Sequence, residues 1–294
     1  MQRATRIPIA GVHSPVYFVS DTSSTLDLAA SLLADTTTAT PHLTTIIADR
    51  QSAGRGRLGR TWTTPDGQAL LASTIVSLPT SFPTEMLGWL VHACALSVRD
   101  ALSLRLSSLG HTVFLKWPND VLVDGTRKIC GILAQLAPAS SPFTTSAILG
   151  YGINIAQDCD HLATPQATSL FAEGDAEAGA DPTSVSHTLL AQILTGLDSR
   201  IRGLVTHGNA RDCGLADEAA NALPLLGTRI ALAKPTDPNG HPAMEGVALG
   251  LSPTGSLLVR TDDGRTHDIN AGDVLATGLP LTTVHDTKEK RANN

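Results

Sequence analysis

Apolar residues recur along this chain with two different spacings, and each spacing predicts a type of secondary structure. Over residues 84–106 they return every three or four positions, which predicts a long helix with one buried face. A second long helix is predicted in the same way over residues 186–205, and N-cap residues at 23–25 predict a shorter one that ends near Ala34. Short apolar runs predict strands at residues 16–19, 43–48, 69–76, 112–117, 129–136 and 147–151.

The pattern changes after Leu223-Pro224. Turns rich in Pro, Asn and Gly separate four short runs that predict strands at residues 228–232, 245–251, 256–260 and 265–269. Four short strands in a row predict a small β-barrel that follows a larger α+β unit, whose mixed or antiparallel sheet carries the helices. The acidic, small-residue stretch 171–184 is interpreted as a mobile surface loop, and the polar end of the chain as a frayed tail.

Composition narrows the class of protein. Hydrophobic residues make up 42% of the chain and charged residues 16%, which is typical of a soluble protein with a substantial core. The net charge of −6 argues against non-specific binding to nucleic acid. We recognise no signal peptide or membrane-spanning stretch, and the four cysteines lack C-x-x-C spacing. These features predict a cytoplasmic protein without a zinc site.

The segment from Gln51 to Trp62 combines glycines with arginines between two predicted strands. Glycine lets the backbone approach a ligand closely, and arginine is suited to phosphate and carboxylate groups. The loop is therefore predicted to be a flap over an anionic ligand, although a basic surface turn is the alternative. The residues concerned are Gly54, Arg55, Gly56, Arg57, Gly59 and Arg60.

Further motifs follow in a fixed order: KWPND at 116–120, RKICG at 127–131, GYGIN at 150–154 and ATSL at 167–170. Together with the Gly/Arg segment, this set resembles the biotin protein ligase family from about residue 19 to 277. The resemblance implies a class II synthetase-like catalytic domain over residues 1–222 and an SH3-like β-barrel over 223–280. Residues 281–294 are then expected to form a disordered tail.

The resemblance also implies a reaction in two steps. Biotin is activated by ATP to biotinyl-5′-AMP, and the biotinyl group then passes to a lysine of a biotin carboxyl carrier domain of an acyl-CoA carboxylase. Magnesium is expected with the ATP, without a dedicated cluster of protein ligands. Many family members carry an N-terminal winged-helix domain that binds DNA. Because about 15 residues precede the first predicted strand, we expect a ligase without that activity.

Three residues are assigned catalytic roles by the resemblance. Lys128 is expected to stabilise negative charge on the biotin carboxylate and the α-phosphate, although a solvated lysine at a strand end is the alternative. Arg57 is expected to hold the adenylate and order the flap. Asp120 is expected to orient the incoming lysine or accept its proton, or else to cap a turn. Gly131, which has no side chain, would let the ligand approach its strand.

The remaining family positions are expected to bind the ligands. Ser24, Thr25 and Gln51 would line the biotin pocket, although Ser24 and Thr25 also suit helix capping. Trp62 and Trp117 would offer stacking surface near the nucleotide or pack in the core. The other expected binding residues are Lys116, Asn119 and Asn154. Leu26 stands where the family usually has asparagine, so one polar contact of the expected biotin pocket is lost.

Two other functions stay open at this point. A lipoate or octanoate ligase or transferase of the same fold would differ in its signature residues, typically an RR-x-x-GG-type segment that we do not find here. A biotin sensor that no longer transfers is suggested by Leu26 alone, whereas Arg57, Lys116, Asp120 and Lys128 argue against it. A nucleic-acid-binding module would need a wider basic face than the Gly/Arg segment supplies.

Overall fold

Two β-sheets make up the core of the computed structural model, which describes residues 4–35, 37, 40–141, 144–233 and 242–277. Among these residues, the strands of the first sheet are β1 (Thr5–Ile7), β2 (Val16–Thr22), β3 (Thr45–Gln51), β4 (Ala69–Pro79), β5 (Val113–Lys116), β6 (Asp120–Val123), β7 (Arg127–Ser141) and β8 (Thr144–Asn154). The helices are α1 (Thr25–Ala34), α2 (Gly88–Leu106), α3 (Ala176–Ala180), α4 (Pro182–His207) and α5 (Leu215–Ala222).

The first sheet is mixed, with the order β1-β2-β3-β4-β8-β7-β6-β5. Strands β2 and β3 are parallel and are joined through α1, whereas the other neighbours in the sheet are antiparallel. Consecutive residues of a strand point to opposite faces of the sheet, and helices cover both faces. Thus Ile148 packs under α1 while Leu149 joins the core that includes α2 and α4. The predicted α+β class is confirmed.

A second, antiparallel sheet follows α5. Its strands are β9 (Arg229–Ala233), β10 (Pro242–Leu251), β11 (Leu257–Arg260), β12 (Thr266–Ile269) and β13 (Asp273–Thr277), in the order β12-β11-β10-β9-β13. The four predicted strands are present, and β13 was not predicted. The sheet meets α2 where Trp89 Nε1 donates a hydrogen bond to Pro253 O at 2.8 Å. The domain limits stay a prediction, and the predicted tail lies outside the described residues.

The interpretation of residues 171–184 as a mobile loop is wrong. Asp175 and Asp181 accept hydrogen bonds from backbone N–H groups at the starts of α3 and α4, and Pro182 occupies the first turn of α4. The Asp175 carboxylate is also buried and accepts from Arg105 Nε at 2.6 Å. Most of the stretch lies at the surface, as expected, but it forms α3 and the start of α4 instead of a loop.

Some other elements differ from the predictions in position. The long helix predicted from residue 84 begins as a 3₁₀ turn over Thr84–Leu87 before α2. The prediction of one buried face is wrong for α2, because residues 92–98 are all buried and nearly two full turns are enclosed. Strands β1 and β6 and helix α5 were not predicted, because each is too short to show a clear periodicity of apolar residues. No helix in the described part of the chain combines the length and the apolar character needed to cross a bilayer.

Candidate active site

A cavity of about 490 Å³ opens at the N-terminal end of α1, on the face of the first sheet that α1 covers. It draws residues from β3, the flap between β3 and β4, β5–β8 and β13. All but one of the binding and catalytic residues expected from the sequence line it: Ser24, Thr25, Gln51, Arg55, Gly56, Arg57, Arg60, Trp62, Lys116, Asn119, Asp120, Lys128, Gly131 and Asn154. Gly54 does not line it.

Three glycines form the floor of this cavity. Gly131 of β7 is paired with Gly152 of β8, and Gly150 lies two residues earlier on the same face. The Trp62 ring rests on the first pair: a Cβ atom on Gly152 would lie 2.6 Å from the ring, and one on Gly131 would lie 3.0 Å from it. Leu26 packs on Gly150 in the same way. Side chains at these glycines would displace Trp62 and Leu26 from the sheet.

Gly54 shapes the flap instead of contacting the cavity. Its carbonyl oxygen accepts a hydrogen bond from Trp62 N at 2.9 Å, and a Cβ atom at this position would lie 2.3 Å from Trp62 O. Two stretches of flap backbone therefore touch here, and only glycine permits this approach. The predicted role of Gly54 in the flap is thus positional, since it places Trp62 over the floor.

One end of the cavity is lined by hydroxyl and amide groups. Gln51 Oε1 accepts from Thr25 N at 2.8 Å and from Thr25 Oγ1 at 3.1 Å, while Ser73 Oγ donates to Thr25 Oγ1 at 2.8 Å. Ser24 is the N-cap residue of α1, yet its hydroxyl makes no capping hydrogen bond. This buried Ser24 Oγ has no hydrogen-bond partner among the described residues. Such a group is costly unless a ligand supplies the partner.

The flap is tied to the rest of the molecule by its arginines. Arg57 Nη1 donates to Asn119 Oδ1 at 3.0 Å, and Arg57 Nη2 donates to Gly272 O at 3.4 Å. Arg60 forms an ion pair with Asp273 of β13. Both sheets therefore contribute to the cavity wall. The position of the second sheet beside the flap could not be predicted from sequence spacing.

Lys128 and Asp120 lie on neighbouring strands and form an ion pair, with 2.7 Å between Lys128 Nζ and Asp120 Oδ1. Lys128 Nζ is also 5.6 Å from the centre of the Trp62 ring, which places the cation over the glycine floor. Lys128 is thus held within the cavity wall and is not a freely solvated strand-end lysine. Lys116 lines the same cavity, and its side chain has no ion-pair or hydrogen-bond partner within the described residues.

The electrostatics of the cavity favour an anion. Five basic side chains line it, against the carboxylates of Asp120 and Asp273. Burial lowers the pKa of the Arg57 guanidinium, while Asp273 and Asp120 raise it and Arg60 lowers it again. Arginine stays charged in proteins at physiological pH, so burial of Arg57 leaves a partly desolvated cation. A phosphate or carboxylate placed here would interact more strongly than on an open surface.

Buried polar groups also line the opposite end of the cavity. Asn154, which was predicted, donates from Nδ2 to Thr168 O at 2.8 Å and accepts from Gln157 Nε2 at 3.2 Å. Gln157 was not predicted, because nothing in its sequence neighbourhood distinguishes it from a surface residue. In the structure it is 1% exposed and lines the cavity.

A group of possible metal ligands lies elsewhere. His111, Asp124 and Glu173 come within 4.8 Å of one another, but none of them lines the cavity. Arg127 donates to Glu173 at 2.6 Å and to Asp124 at 2.7 Å, so both carboxylates already face a cation. This ion-pair network fixes the start of β7, one residue before Lys128.

Comparisons with known proteins identify the family of this chain. The Biotin/lipoate A/B protein ligase family matches residues 18–154, and the Biotin protein ligase C terminal domain matches residues 236–275. A biotin–acetyl-CoA-carboxylase ligase of Mycobacterium tuberculosis is 34% identical over 230 residues, which cover 78% of this chain and 77% of that protein. The chain belongs to the biotin protein ligase family.

Other biotin protein ligases show the same relationship. The biotin–acetyl-CoA-carboxylase ligase of Paracoccus denitrificans is 31% identical over 224 residues, which cover 75% of this chain and 85% of that protein. The biotin protein ligase of Leishmania major in complex with biotin has 25% identity and a TM-score of 0.54, and the match covers 87% of this chain and 98% of that one. The Aquifex aeolicus enzyme in complex with biotin and ATP has 24% identity and a TM-score of 0.62, covers 90% and 98% respectively, and shares the fold.

Proposed function

We propose that this chain condenses biotin with ATP to biotinyl-5′-AMP and then transfers the biotinyl group to a lysine of a carboxylase carrier domain. The observation that carries this proposal is the layout of the cavity. Unpartnered Ser24 and the Gln51 amide lie at one end, and the cations Lys128 and Arg57 lie over the floor. A ligand with a polar ring and a carboxylate chain fits this order of groups.

In the first step, a carboxylate oxygen of biotin forms a bond to the α-phosphorus of ATP, and the bond to pyrophosphate breaks. Two anions meet in this step, so their repulsion must be offset where they touch. Lys128 Nζ is the cation proposed for this role, because its pair with Asp120 holds it beside Gly131 in the cavity. Arg57 adds a second cation from the flap.

In the second step, the neutral amine of the carrier lysine attacks the carbonyl carbon of the mixed anhydride and AMP leaves. The amine must lose a proton to become an amide. Asp120 is proposed to accept it, because its carboxylate is part-exposed and lies 2.7 Å from the cation that faces the anhydride. The carrier is proposed to be the biotin carboxyl carrier domain of an acyl-CoA carboxylase.

Magnesium is proposed to enter with ATP. The two carboxylates of the cavity wall are each paired with a basic side chain, Asp120 with Lys128 and Asp273 with Arg60. A metal ion would therefore take most of its oxygen ligands from the phosphates and from water, as Mg²⁺ usually does.

The proposal is tested by transfer of labelled biotin to a purified carrier domain in the presence of ATP and magnesium. Wild type should transfer the label, and Lys128→Ala should lose it. A charge about 4 Å from the reacting anions contributes about 4 kcal/mol at an effective dielectric constant near 20, which corresponds to about a thousandfold in rate.

Arg229→Ala is the matched control, since this arginine forms an exposed ion pair with Asp262 on the second sheet, away from the cavity. ATP-dependent biotin binding without transfer would indicate a sensor instead of a ligase. Transfer of lipoate or octanoate in place of biotin would assign the chain to the other branch of its family.

A further inference from the structure

The side chain of Gln157 ends in a buried acceptor that the protein leaves without a partner. The orientation of this amide follows from a chain of hydrogen bonds. Thr168 O is a backbone carbonyl and can only accept, so the atom of Asn154 that contacts it is Nδ2. Asn154 Oδ1 must then face Gln157 and accept from Nε2. The remaining amide atom of Gln157 is the oxygen Oε1.

Gln157 Oε1 has no hydrogen-bond partner within the described residues, although Gln157 is 1% exposed and lines the cavity. Buried acceptors are nearly always satisfied in folded proteins, because an unsatisfied one loses its water without compensation. Because Gln157 is among the residues that line the cavity, a ligand group that donates a hydrogen bond there would supply the missing partner.

The position of Gln157 along the cavity indicates which ligand group this is. Gly150, Gly152 and Asn154 alternate along one face of β8, so about 13 Å separates the first from the last at about 3.3 Å per residue. The proposed biotin end is at Gly150, next to Leu26, and Lys128 lies in the middle, against Gly131, the residue of β7 that is paired with Gly152. The end at Asn154 and Gln157 is left for the nucleoside, beyond the phosphates.

We propose that Gln157 selects the nucleotide base by accepting a hydrogen bond from the 6-amino group of adenine. This inference rests on the proposed function. In a nucleotide, that amino group carries the N–H bonds of the adenine base, whereas guanine and hypoxanthine present a carbonyl oxygen at the same position. An oxygen opposite Gln157 Oε1 would place two acceptors together, so 6-oxo purines are rejected.

The test compares nucleotides within each protein variant. The full chain is assayed for biotin-dependent exchange of pyrophosphate into ATP, inosine triphosphate, purine riboside triphosphate and 2′-deoxyATP. Purine riboside triphosphate lacks the 6-amino group, so wild type should use it about tenfold less efficiently than ATP. Inosine triphosphate should be poorer still. In Gln157→Met the preference for ATP over purine riboside triphosphate should fall to within about twofold.

Gln192→Met is the matched control, because Gln192 Oε1 is also buried without a partner among the described residues but lies on α4, outside the cavity. This variant should keep the wild-type preference. Retention of the full preference in Gln157→Met would overturn the proposal. So would a Gln157→Met effect on 2′-deoxyATP alone, since that result would assign the acceptor to a ribose hydroxyl.

The readout is a ratio between nucleotides in one protein, so reduced stability of Gln157→Met does not imitate it. Calorimetric titration of wild type with ATP and purine riboside triphosphate separates this proposal from the proposed function. A preference for ATP in binding without biotin-dependent exchange would refute the ligase reaction and support the role of Gln157. Exchange with equal affinity for both nucleotides would support the ligase and refute that role.

Discussion

Replacement of Gly152 by alanine tests whether ligand binding depends on the Trp62 ring lying on the glycine floor. The added Cβ atom would lie 2.6 Å from Cε2 and Nε1 of Trp62. Ordinary contacts between such atoms are about 3.5–4.0 Å, so the ring must withdraw by about 1 Å. Gly131 supports the other edge of the same ring at 3.0 Å, which leaves it little freedom to slide along the sheet.

The cost of this overpacking is about 1–3 kcal/mol. Trp62 belongs to the flap and is part-exposed, so the ring can lift away from the sheet in the free protein. We therefore expect the free energy of unfolding to change by less than about 1 kcal/mol. The cost should appear in ligand binding, where about 1–3 kcal/mol corresponds to roughly 5- to 150-fold weaker binding of biotin and ATP.

Tryptophan fluorescence measures this binding directly. Trp62 and Trp117 line the cavity and Trp89 does not, so the signal that responds to a ligand there should come from Trp62 and Trp117. Gly250→Ala is the control, because Gly250 lies within β10 and a Cβ atom there meets nothing within 4 Å. It should bind both ligands as wild type does. Binding of wild-type strength by Gly152→Ala would refute the view that the Trp62 ring must rest on these glycines for the ligand to bind.

Two further predictions concern the flap and the contact between α2 and the turn of the second sheet that contains Gly255. Arg57→Gly removes the hydrogen bonds to Asn119 and Gly272. Biotinyl-5′-AMP should then leave the cavity about tenfold faster or more and label unrelated lysines. An unchanged release rate would contradict this prediction. His92 is buried and contacts Gly255 O, and its burial lowers its pKa below the ordinary value of 6.5. The free energy of unfolding should therefore be highest above pH 6.5. It should fall below that pH, because the unfolded chain then binds a proton that the folded chain does not. Urea unfolding at pH 7.5 and 5.5 should show a smaller loss for His92→Gln, and an equal loss in both proteins would exclude this histidine as a source.

Residues 171–184 and strand β13 differ from the sequence predictions for physical reasons. The stretch 171–184 was interpreted from its acidic composition, but Asp175 and Asp181 are helix N-caps and Asp175 also pairs with Arg105. Composition reports the average preference of a side chain for water, whereas capping depends on where the chain turns into a helix. Strand β13 was not predicted, because its burial comes from pairing with β9, a partner distant in sequence.

Local patterns in the sequence were enough to predict the elements with strong periodicity and the motifs that form the cavity wall. Helix α4, for example, buries one face as its periodicity predicts, and the segments around Arg57, Lys128 and Asn154 each carry their chemistry in a few adjacent residues. Only the tertiary structure decided that the Trp62 ring lies on two glycines and that β13 reaches the flap through Asp273. It also left Gln157 Oε1 without a partner. These features depend on distances between residues far apart in sequence, and local spacing does not encode such distances.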